Sequence, residues 1–162
     1  MLTTLEQTQQ KWGGSNKLID QWLNNRRVLL VQYCKIAGLA PYESPGRTLP
    51  ELEEVKTFCD LLVDYVSEGH FEIYDQVVST CENISDECKA RAHLVIPRIS
   101  KTTDAALDFN DKYSEAKDEE LLYDLDKDLG ALMEAMESRF EQEDTLLEIV
   151  YTNVAEPAAV VQ

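Results

Sequence analysis

The chain has no apolar run approaching the roughly 18 residues that a membrane-spanning helix needs, so no bilayer crossing is expected. From Met1 to Lys11 there is no basic start followed by an apolar stretch, so no secretory signal is expected and the expected compartment is the cytoplasm. Histidine is scarce. Neither His70 nor His93 has a Glu three residues before it (Ser67 and Ala90 stand there), so the Glu-x-x-His pairs of di-metal bundles are missing. The 4 cysteines, Cys34, Cys59, Cys81 and Cys88, follow no finger or ribbon spacing. Cys34, Cys59 and Cys81 fall at or beside apolar helical positions, where a reduced thiol packs as a small hydrophobe. No Gly-rich phosphate loop follows a strand, and no Ser or Cys stands in a nucleophile motif. The chain is therefore expected to hold no metal, no cofactor and no catalytic residues, and is not read as an enzyme.

Positive charge is also in short supply. There are 15 Lys and Arg against 31 Asp and Glu, a formal net charge of −16. Residues 1–81 carry 7 basic and 11 acidic side chains (net −4), and residues 82–162 carry 8 and 20 (net −12). Direct binding to nucleic acid is not expected, because that affinity comes from cations neutralising phosphates. Two uses of the acidity fit: steered association with a basic protein, or solubility alone.

What is present is helical periodicity. Hydrophobic residues make up 44% and charged residues 28%, the mixture of a folded globule at a length of one domain. A short helix is expected over about residues 2–11, broken at Gly13-Gly14 before Ser15, a good N-cap. From Ser15 to Ala37 a broad stripe contains Ile19, Leu23, Leu30 and Cys34, with Trp22, Leu29 and Tyr33 beside it. Gly38 stops that helix, and prolines to Pro50 mark a loop. A second helix over about 51–67 shows Leu52, Val55, Cys59, Leu62 and Val66 on one face and ends at Gly69. A short helix over about 70–81 has Phe71, Tyr74, Val78 and Cys81 at spacings of three and four. A long segment from Ser85 to Tyr113 contains Pro97, which is expected to bend or restart it. The last helix, about 118–153, has the clearest stripe: Leu122, Leu125, Leu129, Leu132, Met136, Phe140, Leu147 and Val150. With no strand signal, the expected fold class is all-α, an antiparallel bundle of four main helices in one domain over 1–155, with a frayed tail over 156–162.

Some positions depart from the apolar pattern. Arg139 and Glu143 interrupt the last stripe, and Asn16 and Arg26 interrupt the first. A buried charge without a partner costs several kcal/mol. Either these four residues form an inward polar layer, or the helix ends splay and they reach water. The Leu62–Tyr74 junction is a second departure, with an acid, two tyrosines, a histidine and a phenylalanine at a helix break. Asp64 lies off the buried stripe and is expected to face solvent. Phe71 either fixes the angle between two helices or anchors a partner.

Three blocks carry a family resemblance. They are Gly14-Ser15-Asn16-Lys17-Leu18-Ile19-Asp20-Gln21-Trp22-Leu23, the junction Leu62-Val63-Asp64-Tyr65-Val66-Ser67-Glu68-Gly69-His70-Phe71-Glu72-Ile73-Tyr74, and Arg139-Phe140-Glu141-Gln142-Glu143-Asp144. In this order and at this length, the chain resembles the Rsd/AlgQ family, the regulator of sigma D group of bacterial anti-sigma factors. The loop around Pro45 and the stretch from Ser79 to Lys89 match poorly, and nothing is carried over there. The resemblance implies a helical bundle that binds region 4 of the primary sigma factor. That region is a basic helix-turn-helix which reads the −35 promoter element and docks on core RNA polymerase. Holding it would favour alternative sigma factors as growth slows. The resemblance also implies that Asp64 and Phe71 contact sigma, with Tyr65, His70, Tyr74, Asp20 and Trp22 as further candidates. Family members also bind the sugar-transport phosphocarrier protein, a second candidate partner. The expected state is a monomer binding one sigma factor. Competing readings are a non-catalytic regulator of another protein, such as an enzyme, and a phosphotransfer or metal-binding bundle using His70, or His93 with Lys89 and Arg91 nearby.

Overall fold

The apolar stripes read from the sequence are buried along four long helices. This computed structural model describes residues 4–7, 17–43 and 49–155, with side chains followed to residue 150. Helix α1 spans Lys17–Ala37, α2 Leu52–Glu68, α3 Tyr74–Glu82, α4 Asp86–Tyr113 and α5 Leu125–Ala155. A π-helical turn, Gly69–Ile73, joins α2 to α3, and a 3-10 turn, Glu119–Asp124, leads into α5. Among the described residues there is no strand, and the fold is all-α. Residues 4–7 are helical, with Leu5 buried. The expected Gly13-Gly14 break, the Ser15 cap and the tail from residue 156 lie outside the described residues.

Local chemistry sets the helix ends. Gly38 takes a φ of 65°, the left-handed region that glycine enters without steric cost. That geometry lets the Leu39 and Gly38 N–H groups donate back to the Cys34 and Lys35 carbonyls at 3.0 and 3.3 Å, closing α1. At the start of α2 the Glu54 carboxylate accepts from the Glu51 N–H at 3.2 Å. The Ser85 hydroxyl accepts from the Cys88 N–H at 3.1 Å to cap α4. Helix α4 does not restart at Pro97 but runs unbroken from Asp86 to Tyr113. Pro97 lies on its exposed side, where the carbonyl left without its N–H donor is open to solvent.

Cross-helix contacts fix the packing directions. Tyr113, Thr102 and Cys88 of α4 meet Asp128, Arg139 and Ile149 of α5 in reverse order, so the two helices run antiparallel. Asn25 and Gln32 of α1 meet Glu68 and Glu54 of α2, again in reverse order. Between these pairs runs an aromatic chain, Tyr33–Phe58–Phe109–Tyr113, with successive ring centroids 6.4, 5.6 and 4.6 Å apart. All eight residues of the last predicted stripe are buried.

The glycine break expected at Gly69 is absent. Gly69 has helical angles (φ −56°, ψ −53°), and its N–H bonds back to the Tyr65 and Val66 carbonyls. A Cβ at this position would lie 3.2 Å from the Tyr74 hydroxyl oxygen and 3.5 Å from Trp22 Nε1. The residue is glycine because two ring side chains pack against its backbone. Through the π turn that follows, the buried side stays in line with that of α2. The buried set is Ile73, Tyr74, Val77 and Cys81: Tyr74 and Cys81 of the expected stripe are buried, and Val78 is half-buried. Phe71 is turned outward and is 70% exposed.

Candidate functional site

Beneath the junction lies a buried polar layer to which all five helices contribute. Arg26 of α1 and Arg139 and Glu143 of α5 are at most 1% exposed. Glu143 is the hub. Its Oε1 accepts from Arg139 Nε at 2.7 Å and from the Tyr74 hydroxyl at 3.1 Å. Its Oε2 accepts from Arg26 Nη2 at 3.2 Å and from the Tyr65 hydroxyl. Arg26 also donates from Nε to Tyr65 Oη at 2.9 Å and from Nη1 to Asp144 at 2.7 Å. Arg139 also donates to Tyr74 Oη at 3.0 Å and to the Thr102 and Thr103 hydroxyls at 3.2 and 3.1 Å. Two guanidinium groups face two carboxylates, so the layer is neutral.

Rings insulate this layer. The Trp22 and Tyr65 rings stack with centroids 5.7 Å apart and planes within 7°. The Arg26 guanidinium lies 5.1 Å from the Trp22 centroid and 4.9 Å from that of Phe140. Burial disfavours the charge on Arg26, but Tyr65, Glu143 and Asp144 outweigh it and hold its pKa above the ordinary value. For Arg139 burial again opposes the charge, and Glu143 with the two tyrosines reverses it. Burial also pushes the Tyr65 and Tyr74 hydroxyls well above the usual range, so both keep the protons they donate to Glu143. Among the described residues, the buried Trp22 Nε1–H has no hydrogen-bond partner.

The outer side of the same junction is acidic around one aromatic ring. Asp60, Asp64, Glu72 and Asp75 are exposed, and Glu68 is half-buried. Residues 57–88 contain no Lys or Arg. Phe71 rises from the middle of this strip with the His70 ring against its edge, centroids 4.8 Å apart. Burial raises the pKa of Glu68, with the hydrogen bond from Asn25 working against that rise.

The structure divides the candidate contacts by depth. Asp64, His70 and Phe71 are exposed, and Asp20 is half-buried. Trp22, Tyr65 and Tyr74 are buried at 0, 1 and 4% exposure. The Tyr65 and Tyr74 hydroxyls bond within the polar layer, and Trp22 stacks on the Tyr65 ring beneath the junction. Arg26, Arg139 and Glu143 share one network, while Asn16 lies outside the described residues. Sequence reasoning missed Asp144, Thr102 and Thr103 as members of the layer. It also missed the roles of the Tyr65 and Tyr74 hydroxyls, whose only signal was position on an apolar face.

Other chemistry is sparse. Among the described residues no group of three or more His, Cys, Asp and Glu could hold a metal ion. His93 is exposed, and the nearby Lys89 is paired to Glu82 at 3.0 Å. Cys59, Cys81 and Cys88 are buried free thiols, and Cys34 is half-buried. Burial pushes Cys59 and Cys81 up to about 12, which keeps them protonated. No helix among the described residues is long and apolar enough to cross a membrane.

Comparison with known proteins finds relatives over most of the chain. A regulator of sigma D from Yersinia enterocolitica is 38% identical over 149 residues, covering 91% of this chain and 89% of the relative. One from Yersinia pestis is 36% identical over 149 residues, covering 91% and 88%. One from Enterobacter sp. (strain 638) is 35% identical over 154 residues, covering 94% and 92%. The sequence profile described as "Regulator of RNA polymerase sigma(70) subunit, Rsd/AlgQ" matches residues 1–151. The chain belongs to the Rsd/AlgQ family of regulators of the RNA polymerase sigma(70) subunit.

Proposed function

We propose that this protein is an anti-sigma factor that acts by binding alone. It captures region 4 of the primary sigma factor in the cytoplasm and keeps it from the −35 element and from core RNA polymerase. The observation that carries this reading is Phe71, 70% exposed on a strip that bears acids and no cation. A basic helix-turn-helix with an apolar recess is the complementary partner: Asp64 pairs with a sigma Arg or Lys while Phe71 fills the recess. The net charge of −16 speeds encounter and makes it sensitive to salt. The consequence is a shift of transcription toward alternative sigma factors as growth slows. The second partner expected above, the phosphocarrier protein, is carried by the resemblance alone.

The test is competition. Purified region 4 is bound to a labelled duplex carrying a −35 element, and the protein is titrated in at low and at high salt. Displacement of the duplex at low salt, weakened by salt, supports the reading; an unmoved duplex at saturating protein refutes it.

A further inference from the structure

Two thiols stand together where α3 gives way to α4. Cys81 is in the last turn of α3 and Cys88 in the first turn of α4, and both are buried, at 0 and 1% exposure. The Cys88 thiol donates to the Cys81 sulfur across 2.6 Å and also lies 3.8 Å from the Ile149 carbonyl of α5. The turn between the two cysteines is short. Its Ile84 and Ser85 N–H groups bond back to the Cys81 carbonyl at 3.0 and 3.1 Å, and the Ser85 hydroxyl caps the Cys88 N–H. The bonds that form the turn thus bring the two sulfurs face to face. Both cysteines lie between Ser79 and Lys89, where the family resemblance carries nothing over, so the pair is a feature of this chain.

A buried thiol usually serves as a small hydrophobe, but packing does not require two sulfurs in contact. A disulfide bond is about 2.05 Å long, so these sulfurs need approach by only about half an ångström, which rotation about the two Cα–Cβ bonds can supply. A shared metal ion does not fit. Two zinc–sulfur bonds of about 2.3 Å at a tetrahedral angle would set the sulfurs about 3.8 Å apart. Among the described residues no third ligating group completes such a site.

We propose that Cys81 and Cys88 are a redox-active dithiol: hydrogen peroxide converts them to a disulfide that pins the end of α3 to the start of α4, and a dithiol reductant returns them. Disulfides of reducing compartments are mostly of this transient, redox-sensing kind. Burial keeps Cys81 protonated, so Cys88 reacts first. Its thiolate attacks one peroxide oxygen, the O–O bond breaks, and the departing hydroxide takes up a proton as water, leaving a sulfenic acid on Cys88. The Cys81 sulfur then attacks the Cys88 sulfur and breaks its S–O bond, and the hydroxyl leaves as water with the Cys81 proton. Two thiols and one hydrogen peroxide thus give one disulfide and two waters, with two electrons passing to the peroxide. Glu82, Asn83 and Ser85 are exposed, so local opening of the turn admits an oxidant this small. Neither Asp64 nor Phe71 takes part, so the dithiol stands apart from the sigma-binding reading.

The test treats the full chain with rising doses of hydrogen peroxide, labels it with a maleimide in denaturant and reads the intact mass. The untreated chain has 4 cysteines and should take four labels; the treated chain should take two, and dithiothreitol should restore four. Cleavage after glutamate should then yield peptides 73–82 and 88–115 joined to each other. The joined form should appear before the half-buried Cys34 loses its label, because proximity and not access decides. The oxidised chain should melt at a higher temperature than the reduced one, since the closed loop restricts the unfolded chain. In Cys81→Ser, with helicity checked by circular dichroism, Cys88 should stop at the sulfenic acid and be captured by dimedone. Loss of the Cys34 label first, or a pair that keeps both labels at every dose that leaves the helices intact, overturns the proposal. So does an oxidised chain that melts no higher than the reduced one, or a helical Cys81→Ser chain that captures no dimedone.

Discussion

A Cβ on Gly69 would sit 3.2 Å from the hydroxyl oxygen of Tyr74, closer than a side chain normally approaches. Alanine is better than glycine in a helix by about 1 kcal/mol, so on propensity alone Gly69→Ala should stabilise. The Tyr74 oxygen, however, is held by Arg139 at 3.0 Å and Glu143 at 3.1 Å. Hydrogen bonds to charged groups are worth about 1.5–3 kcal/mol each, and the added methyl would strain both. Gly69→Ala should therefore lower stability in urea unfolding by about 1 kcal/mol net. In a Tyr74→Phe background the same change should become neutral or favourable. Equal cost in both backgrounds would contradict this relationship.

Arg139→Met should cost about 3–5 kcal/mol, the range for breaking a buried ion pair from one side. The loss leaves Glu143, which has no exposure, facing only Arg26 and the two tyrosines. Removing both charges with Arg139→Met and Glu143→Leu should cost less than the sum of the single changes, because the unpaired charge disappears. Chemical denaturation of the two single variants and the double variant checks this. Strict additivity would mean the pair is not coupled.

Asp128 gives a pH signature. Burial alone would raise its pKa, but the hydrogen bonds from Lys112 at 2.6 Å and Tyr113 at 2.5 Å prevail and hold it below the ordinary carboxylate value. A carboxylate with a depressed folded pKa adds stability that is present above its unfolded value and lost as pH falls through the folded one. Asp128→Asn should therefore lower the melting temperature at pH 7, with the gap to the unmodified protein closing as the pH falls through the depressed pKa of the folded carboxylate. A gap of constant size across that range would rule out the carboxylate as its source.

Most of the fold was legible because helix stripes report burial directly: every residue from Leu122 to Val150 on the last predicted stripe is buried. Arg139 and Glu143 were visible because they interrupt that stripe. Tyr65 and Tyr74 were not, since a tyrosine on an apolar face is the same letter whether or not its hydroxyl closes a network. Gly69 misled for a physical reason. Glycine commonly ends helices by conformation, and here it serves only by lacking a side chain. Continued at 3.6 residues per turn from Leu62 and Val66, the buried side runs on through Gly69 to Ile73 and Val77, so the stripe could have been followed across the junction. Phe71 lies on the side opposite that stripe and is exposed, which decides between the two roles that its place at the helix break had left open in favour of the surface.

The most direct test of sigma capture is a calorimetric titration of purified sigma region 4 into the protein and two single variants. Phe71 and Tyr123 are both exposed aromatics, at 70 and 77%, on different elements. Phe71→Ala should weaken binding by about 1–3 kcal/mol, and so should Asp64→Ala, while Tyr123→Ala should leave it unchanged. Helicity should stay constant throughout. Unaltered affinity in Phe71→Ala and Asp64→Ala, or an equal loss in Tyr123→Ala, would contradict the placement of the sigma-binding surface at the junction.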